Sequence, residues 1–437
     1  MATANTCSGI TDLPVELVRH ICSFLSPCVN RRPGCPRWSR GQVHMSRLSR
    51  TCKRLRDIVQ PVVFSCYPGS ASERPVHQLI LLAQTLMARP DLAQHMKFLM
   101  FRDPLETLNA ADRKSVQDAI VHLGLPAVPD HWNTDGEGEC RLLPLELVLT
   151  YTPNLEFLRL PLDYDWNLHL LPQLVQTRPA FLTKLQTLDV FHFFIAGDRF
   201  DASMSAVDAI VQAAPNLDSL CLPSLNWSYA DTVSPLSNLR RLYFQSNCYM
   251  SPRMLTKMLQ AAPRLEVLAV HWDAMVDGYD YAEGGRATEA WGAVEHRKDS
   301  LRELRLDLRD DMDPGEGGRD SLKDFEKRNN MHARVDCFLS AMFPASIREV
   351  TLWRLDGREM KAAMLRFAKV VAVGRYPKLE SVVLAPSETS DRQDYDEWPN
   401  GGEWDEVKEE LEEEFGKRGV RFELRRHSSY WSAAHLD

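Results

Sequence analysis

The chain has no apolar run of the roughly 18 to 20 residues that a membrane-crossing helix needs. Its opening, Met1-Ala-Thr-Ala-Asn-Thr-Cys-Ser-Gly, has neither the basic start nor the apolar centre of a secretory leader. An intracellular protein, cytoplasmic or nuclear and without a membrane partner, is therefore expected. No Cys-x-x-Cys and no His-x-x-x-His occurs, so Cys28, Cys35, His44 and Cys52 do not make a recognisable zinc set. The ten cysteines follow no disulfide-scaffold spacing and read as reduced, mostly buried thiols. A Gly-x-Ser-x-Gly elbow, a P-loop, a dinucleotide fingerprint and a His-Glu-x-x-His pair are all missing, which removes the motifs that would invite a catalytic reading. The acidic stretch Asp310-Asp-Met-Asp-Pro-Gly-Glu316 lacks the spaced ligands and distal glutamate of a calcium loop and reads as a solvated loop. No metal and no cofactor is expected. The net charge of −8 leaves no overall excess of positive charge for general nucleic-acid binding.

What the chain has is repetition. Eight segments share an aliphatic residue, two variable residues, a second aliphatic, one variable residue and a third apolar side chain. They begin at Leu155, Leu185, Leu217, Leu239, Leu265, Leu301, Ile347 and Leu379. In Leu265-Glu-Val-Leu-Ala-Val270 and Leu301-Arg-Glu-Leu-Arg-Leu306 the apolar positions alternate with variable ones, as a half-buried strand requires. Upstream of two such segments, Met204, Val207, Ile210, Val211 and Ala214, and likewise Met254, Leu255, Met258, Leu259 and Ala262, fall on one helical face. Pro215 and Pro263 then follow, because proline cannot continue a helix and turns its predecessor toward extended geometry. Helix, proline, strand is thus the unit, and one unit alone cannot bury its apolar face, so several must stack.

This pattern resembles leucine-rich repeats. Successive segments begin 30, 32, 22, 26, 36, 46 and 32 residues apart, more irregularly than a standard array, with the insertions absorbed in loops. The asparagine of that family appears only as Asn247, with Asp163 and Asp273 as partial substitutes. At 437 residues the chain exceeds a typical domain of about 100 to 200, which a stack of units permits. Residues 63–91 read as a linker, turn-rich from Pro68 to Pro75, and a connecting helix from Val76 to Met87. An early strand, Met96 to Phe101, reads as the first unit, and residues 130–139 as a surface loop rich in glycine and polar residues. The glutamate-dense helix Trp404–Lys417 and the strand Gly419–Leu424 form a closing cap, for which an acidic recruiting surface is the rival reading. The solenoid is expected over 92–425, followed by a tail, 426–437.

Residues 11–62 have another character. Thr11 or Asp12 can cap a helix, Pro14 suits its first turn, and Glu16 favours the positive end of the helix dipole. Apolar positions follow at Leu13, Leu17, Ile21, Phe24 and Leu25. A second amphipathic stretch runs from Leu48 to Val59 and is expected to end at Pro61. Leu13-Pro14-x-Glu16 with Ile21, followed by Leu48-x-x-x-Cys52-Lys53-x-Leu55, resembles the F-box, with an insertion at 29–43 and with Leu55 where that motif often has an aromatic. The resemblance implies docking on the Skp-type adaptor of a cullin ubiquitin ligase. It assigns adaptor contact to Leu13, Pro14, Leu17, Ile21, Leu25, Leu48, Cys52, Lys53, Leu55 and Val59. The competing reading places several of these in an intramolecular core, because short helices of this size need further apolar cover.

The fold expected is therefore α/β, an irregular leucine-rich-repeat solenoid with a small N-terminal all-helical F-box-like module. Alternation exposes Phe157 and Arg159, Thr187 and Asp189, Arg241 and Tyr243, Val267, Ala269 and His271, Glu303 and Arg305, and Thr351 and Trp353. Arg159, Tyr243, Arg305 and Trp353 are the substrate-binding candidates, since these residue types dominate interface energies. The expected function is a non-catalytic substrate receptor of a Skp–cullin–F-box ligase that binds an unidentified protein substrate. The alternative is an interaction scaffold whose F-box-like helices only cap the solenoid.

Overall fold

A computed structural model describes residues 10–25, 37–69, 75–101, 108–124, 142–162, 168, 170–178, 181–192, 204–222, 233–244, 252–271, 294, 296–307, 343–353, 358–385 and 402–424. Cys28, Cys35, Asp163, Asn247, Asp273, the loops 130–139 and 310–316 and the tail 426–437 lie outside the described residues. The chain is mixed α/β and divides into two compact units. One comprises Met1–Phe194, Ser205–Leu217 and Tyr430–Asp437, the other Ile195–Met204 and Asp218–Ser429.

The first unit opens with a 3-10 turn, Ile10–Asp12, and three helices, α1 (Val15–Leu25), α2 (Arg37–Ser49) and α3 (Lys53–Val63). Val18, Cys22, Met45, Leu55, Ile58 and Val59 enclose a small core, with Leu13, Val15, Leu48, Cys52, Val62 and Val63 packed around it. Short helices therefore do close a core here, contrary to expectation, because α1 gives Val18 and Cys22, α2 gives Met45 and α3 gives Leu55, Ile58 and Val59 to one cluster. Gly41 lets α2 approach α1: a Cβ there would lie 2.2 Å from the Leu25 carbonyl oxygen. The stretch expected as one helix from Leu48 is divided at Arg50–Cys52, and Cys52 Sγ accepts the Leu55 amide at 3.5 Å as the N-cap of α3. Pro61 does not end α3, which continues to Val63. Its missing amide removes one hydrogen bond near the end, and Phe64 N–H still reaches Gln60 O at 2.9 Å. From Arg37 onward the expected insertion is part of α2.

Helices α4 (Pro75–Ala88), α5 (Pro90–Ala93), α6 (Ala110–His122), α7 (Leu143–Tyr151), α8 (Leu171–Thr177) and α9 (Met204–Ala213) accompany four strands, β1 (Cys66–Tyr67), β2 (Phe98–Met100), β3 (Phe157–Leu162) and β4 (Thr187–His192). These strands pair in parallel and in chain order. The expected first strand is consequently the second. The two-residue β1, paired Cys66 to Phe98, was too short to show a period.

The second unit carries β5 (Ser219–Leu222), β6 (Arg241–Phe244), β7 (Val267–His271), β8 (Glu303–Asp307), β9 (Glu349–Trp353), β10 (Ser381–Ala385) and β11 (Arg421–Leu424), again parallel and in order. Its helices are α10 (Pro252–Ala261), α11 (Arg358–Ala372) and α12 (Gly402–Gly416).

Each of the eight sequence segments meets its strand in the same way, with the strand beginning two residues after the leading Leu or Ile. The carbonyl one position after that residue commonly receives two amides from the next segment. Arg240 O accepts Glu266 N and Val267 N at 2.8 and 2.9 Å, and Arg302 O accepts Arg348 N and Glu349 N at 2.7 and 3.0 Å. Register is thereby fixed at each strand entry. Between those amides and the apolar pairs Leu268–Leu304 and Leu304–Val350 the strands cannot slip without exposing core. The helical faces behave as expected: Val207, Ile210, Val211 and Ala214, and Met254, Leu255, Met258, Leu259 and Ala262, are all buried. Phe343, Phe367, Tyr376, Phe415 and Phe422 close the end of the second unit, linked by ring centroids 5.1 to 6.0 Å apart.

Candidate functional site

Helix α1 is apolar on two faces. Val18 and Cys22, four residues apart, point into the three-helix core, and burial pushes the Cys22 thiol above its ordinary value. Leu17, Ile21, Phe24 and Leu25 form a second stripe that stays in solvent, with Phe24 66 % exposed and Leu17 49 % exposed. His20 stands edge-on to Phe24, ring centroids 4.7 Å apart. A folded module that keeps four large apolar side chains outside presents the anchors of a helix-in-groove contact.

The ten adaptor-binding candidates therefore separate by position. Pro14, Leu17, Ile21, Leu25 and Lys53 are exposed. Leu13, Leu48 and Cys52 are half-buried against the module core, and Leu55 and Val59 lie inside it. Leu55, where an aromatic was missed, is a core residue. Phe24 was omitted from the candidates although it stands three residues after Ile21 and seven after Leu17. That helical spacing was the signal that could have found it. Of the four residues weighed for zinc, the described pair is not arranged to chelate: His44 is exposed on α2, and Cys52 caps α3. Among the described residues there is no group of three or more His, Cys, Asp or Glu that could hold a metal ion.

On the strands, the alternation predicts more exposure than the structure gives. Asp189, Tyr243, Ala269 and Thr351 are buried, while Phe157, Arg159, Thr187, Arg241, Val267, Glu303 and Arg305 are half-buried. Parallel neighbours about 4.8 Å away flank a middle-strand side chain on both sides, so it loses water that an isolated strand would leave it. Tyr243 lies in register between Cys221 and Ala269 and is only 3 % exposed. It offers no free ring to a partner, which corrects its expected exposure. Arg305 pairs with Glu303 two residues earlier. Arg159 stands 3.5 Å from Asp189 and lies over the Phe191 ring, 4.6 Å from its centroid. Trp353 ends β9, and the side chains of Trp353 and His271 lie outside the described residues.

The strand entries carry ions in alternation. Lys97 Nζ contacts Glu156 at 2.7 Å in the first unit. In the second, Asp218 receives Arg241 at 2.6 Å and Arg240 at 3.7 Å, Arg302 meets Glu266 at 3.4 Å, and Arg348 meets Glu380 at 3.3 Å. A groove lined by Arg302, Glu303, Arg348, Glu349, Glu380, Ser381 and Arg421 runs across these entries. It is a mixed-charge surface whose guanidiniums mostly have carboxylates already, so it favours no single ligand sign.

No protein-family model matches the chain, and no curated protein matches it either. Among the described residues, no helix is long and apolar enough to cross a membrane.

Burial pushes the Tyr243 phenol up to about 12, with Arg305 and Arg241 opposing part of that rise. Because the folded value lies above the ordinary 10, the stability from keeping the ring neutral is complete below pH 10. It is lost as pH rises toward and through about 12. Tyr243→Phe is expected to flatten the fall in urea midpoint over that window. Identical pH slopes in the two proteins would show that Tyr243 is not a source of the alkaline instability.

Proposed function

We propose that the chain is the substrate-recognition subunit of a Skp–cullin–F-box-type ubiquitin ligase, intracellular and itself non-catalytic. The helical module would dock on a Skp-type adaptor, and the ordered strands, read as an irregular leucine-rich-repeat solenoid, would hold a protein substrate. One observation carries this reading: α1 leaves Leu17, Ile21, Phe24 and Leu25 outside a module whose own core is already closed. A helix serving only as a cap has no need of a second apolar stripe, whereas a docking helix does. The receptor would act by proximity, raising the target's effective concentration at a charged conjugating enzyme without chemistry of its own.

The scaffold reading has support as well, since Gln42 Nε2 of α2 donates to Cys66 O of β1 at 2.9 Å, an arrangement suited to capping a strand edge. The two readings differ over α1. Co-purification of the full chain with a Skp-type adaptor is expected, with loss of the complex in a Leu17→Asp/Ile21→Asp double variant of unchanged thermal stability. Both positions are exposed, so the variant leaves the module core intact. Absence of a complex with the native chain would leave the scaffold reading in place.

A further inference from the structure

We infer that the surface receiving α1 is an apolar groove with an acidic end, an inference that rests on the adaptor-docking reading and specifies its partner. The first 63 residues contain ten Lys and Arg against three Asp and Glu, a net +7 in a chain of −8, so the remaining residues carry −15. This basic block belongs to the same module as the exposed stripe. Arg47, Arg50, Lys53, Arg54 and Arg56 are all exposed around the turn from α2 into α3. Arg54 Nη2 donates to Leu13 O at 2.8 Å, which places that turn beside the entry to α1. Leu13, Leu48 and Cys52 pack on one core and bring the same segments together.

The docking surface is thus two-ended. Phe24 and Leu25 stand at the far end of α1, about 15 Å from its first residue, Val15, at 1.5 Å per residue. The cations gather at the near end and outnumber Asp12, Glu16 and Asp57, the three acidic residues of the module. Arg47, Arg50, Lys53 and Arg56 lie within ten residues of one another and favour a partner surface of the opposite sign, and such complementarity sets orientation and speeds encounter. An anionic bilayer is the less fitting occupant. It would meet α1 along its whole length, yet the five clustered cations lie on another segment, and on α1 itself Arg19 is offset by Glu16 in the first turn. A protein groove can be apolar at one end and acidic at the other.

The experiment uses the full chain and a purified Skp-type adaptor, with association and dissociation rates measured at low and high salt. Arg50→Glu/Lys53→Glu/Arg56→Glu is expected to slow association about tenfold or more at low salt, the difference shrinking at high salt. Phe24→Ala is expected chiefly to speed dissociation. All four positions are exposed, and thermal unfolding of each variant verifies that the module remains folded. Unchanged association in the triple variant would overturn the acidic end while leaving adaptor docking intact. No complex with the native chain would remove the docking reading and this inference together. Binding of the native chain to phosphatidylserine vesicles, lost in the triple variant while adaptor association is unaffected, would reassign the basic end to lipid and overturn the inference.

Discussion

Glu146→Ala is expected to cost about 3 kcal/mol or more, because it leaves two buried helix-terminal amides without their acceptor. Glu146 sits in the middle of α7, a helix whose residues from Leu143 to Leu149 are all buried. A carboxylate in such a place needs partners, and its Oε2 accepts both Leu170 N–H and Leu171 N–H at 2.6 Å. These amides begin α8, whose N-cap, Leu170, has no side chain able to accept them. The acid of one helix therefore caps the next, and the positive end of α8 favours its charge. Hydrogen bonds to a charged group contribute about 1.5 to 3 kcal/mol each, so losing the pair outweighs any gain from removing a buried charge. Glu146→Gln retains an oxygen acceptor and is expected to lose about half as much. Urea denaturation gives the stability change, and amide exchange at Leu170 and Leu171 should accelerate roughly 100-fold, since about 1.4 kcal/mol is a factor of ten. A loss below about 1 kcal/mol with unchanged exchange would show that α8 starts without this clasp.

Phe367→Ala should cost about 4 kcal/mol, the scale of a large-to-small change in a closed aromatic core. Phe367 is almost fully buried on α11 and touches three rings, Phe343 at 5.1 Å, Tyr376 at 5.7 Å and Phe415 at 5.9 Å. The edge-on contact with Phe415 and the tilted contacts with Phe343 and Tyr376 add to the area term, and rigid rings around the gap collapse poorly into it. Phe367→Leu fills much of the volume without the ring contacts and is expected to lose about 1.5 kcal/mol. Near-ultraviolet circular dichroism during urea unfolding reads both changes, because the ring cluster is part of the signal. Equal losses in the two variants would mean that the ring pairs, rather than the volume filled, hold this end together.

Burial was legible where the period was long. Met254, Leu255, Met258, Leu259 and Ala262 announced their buried face at helical spacing, and the eight leading Leu and Ile residues announced the strands two positions later. The two-residue β1 could not announce itself, and neither could the break at Cys52, since amphipathic spacing continues across it. At the candidate site, the apolar spacing from Leu13 to Leu25 announced an amphipathic helix and left its faces mixed. Leu55 and Val59 faced the core, Leu17 and Ile21 faced water, and Phe24 joined the exposed stripe.

The sequence by itself determined the alternation of apolar segments, the helix–proline–strand unit, the net negative charge and the amphipathic start, because each depends on neighbours along the chain. Only the tertiary structure decided which side of α1 is inside, that Tyr243 is buried between in-register strands, and that Glu146 caps α8 across 24 residues of sequence. Those outcomes depend on contacts between segments distant in the chain, and local periodicity carries no information about which of two apolar faces another segment will cover.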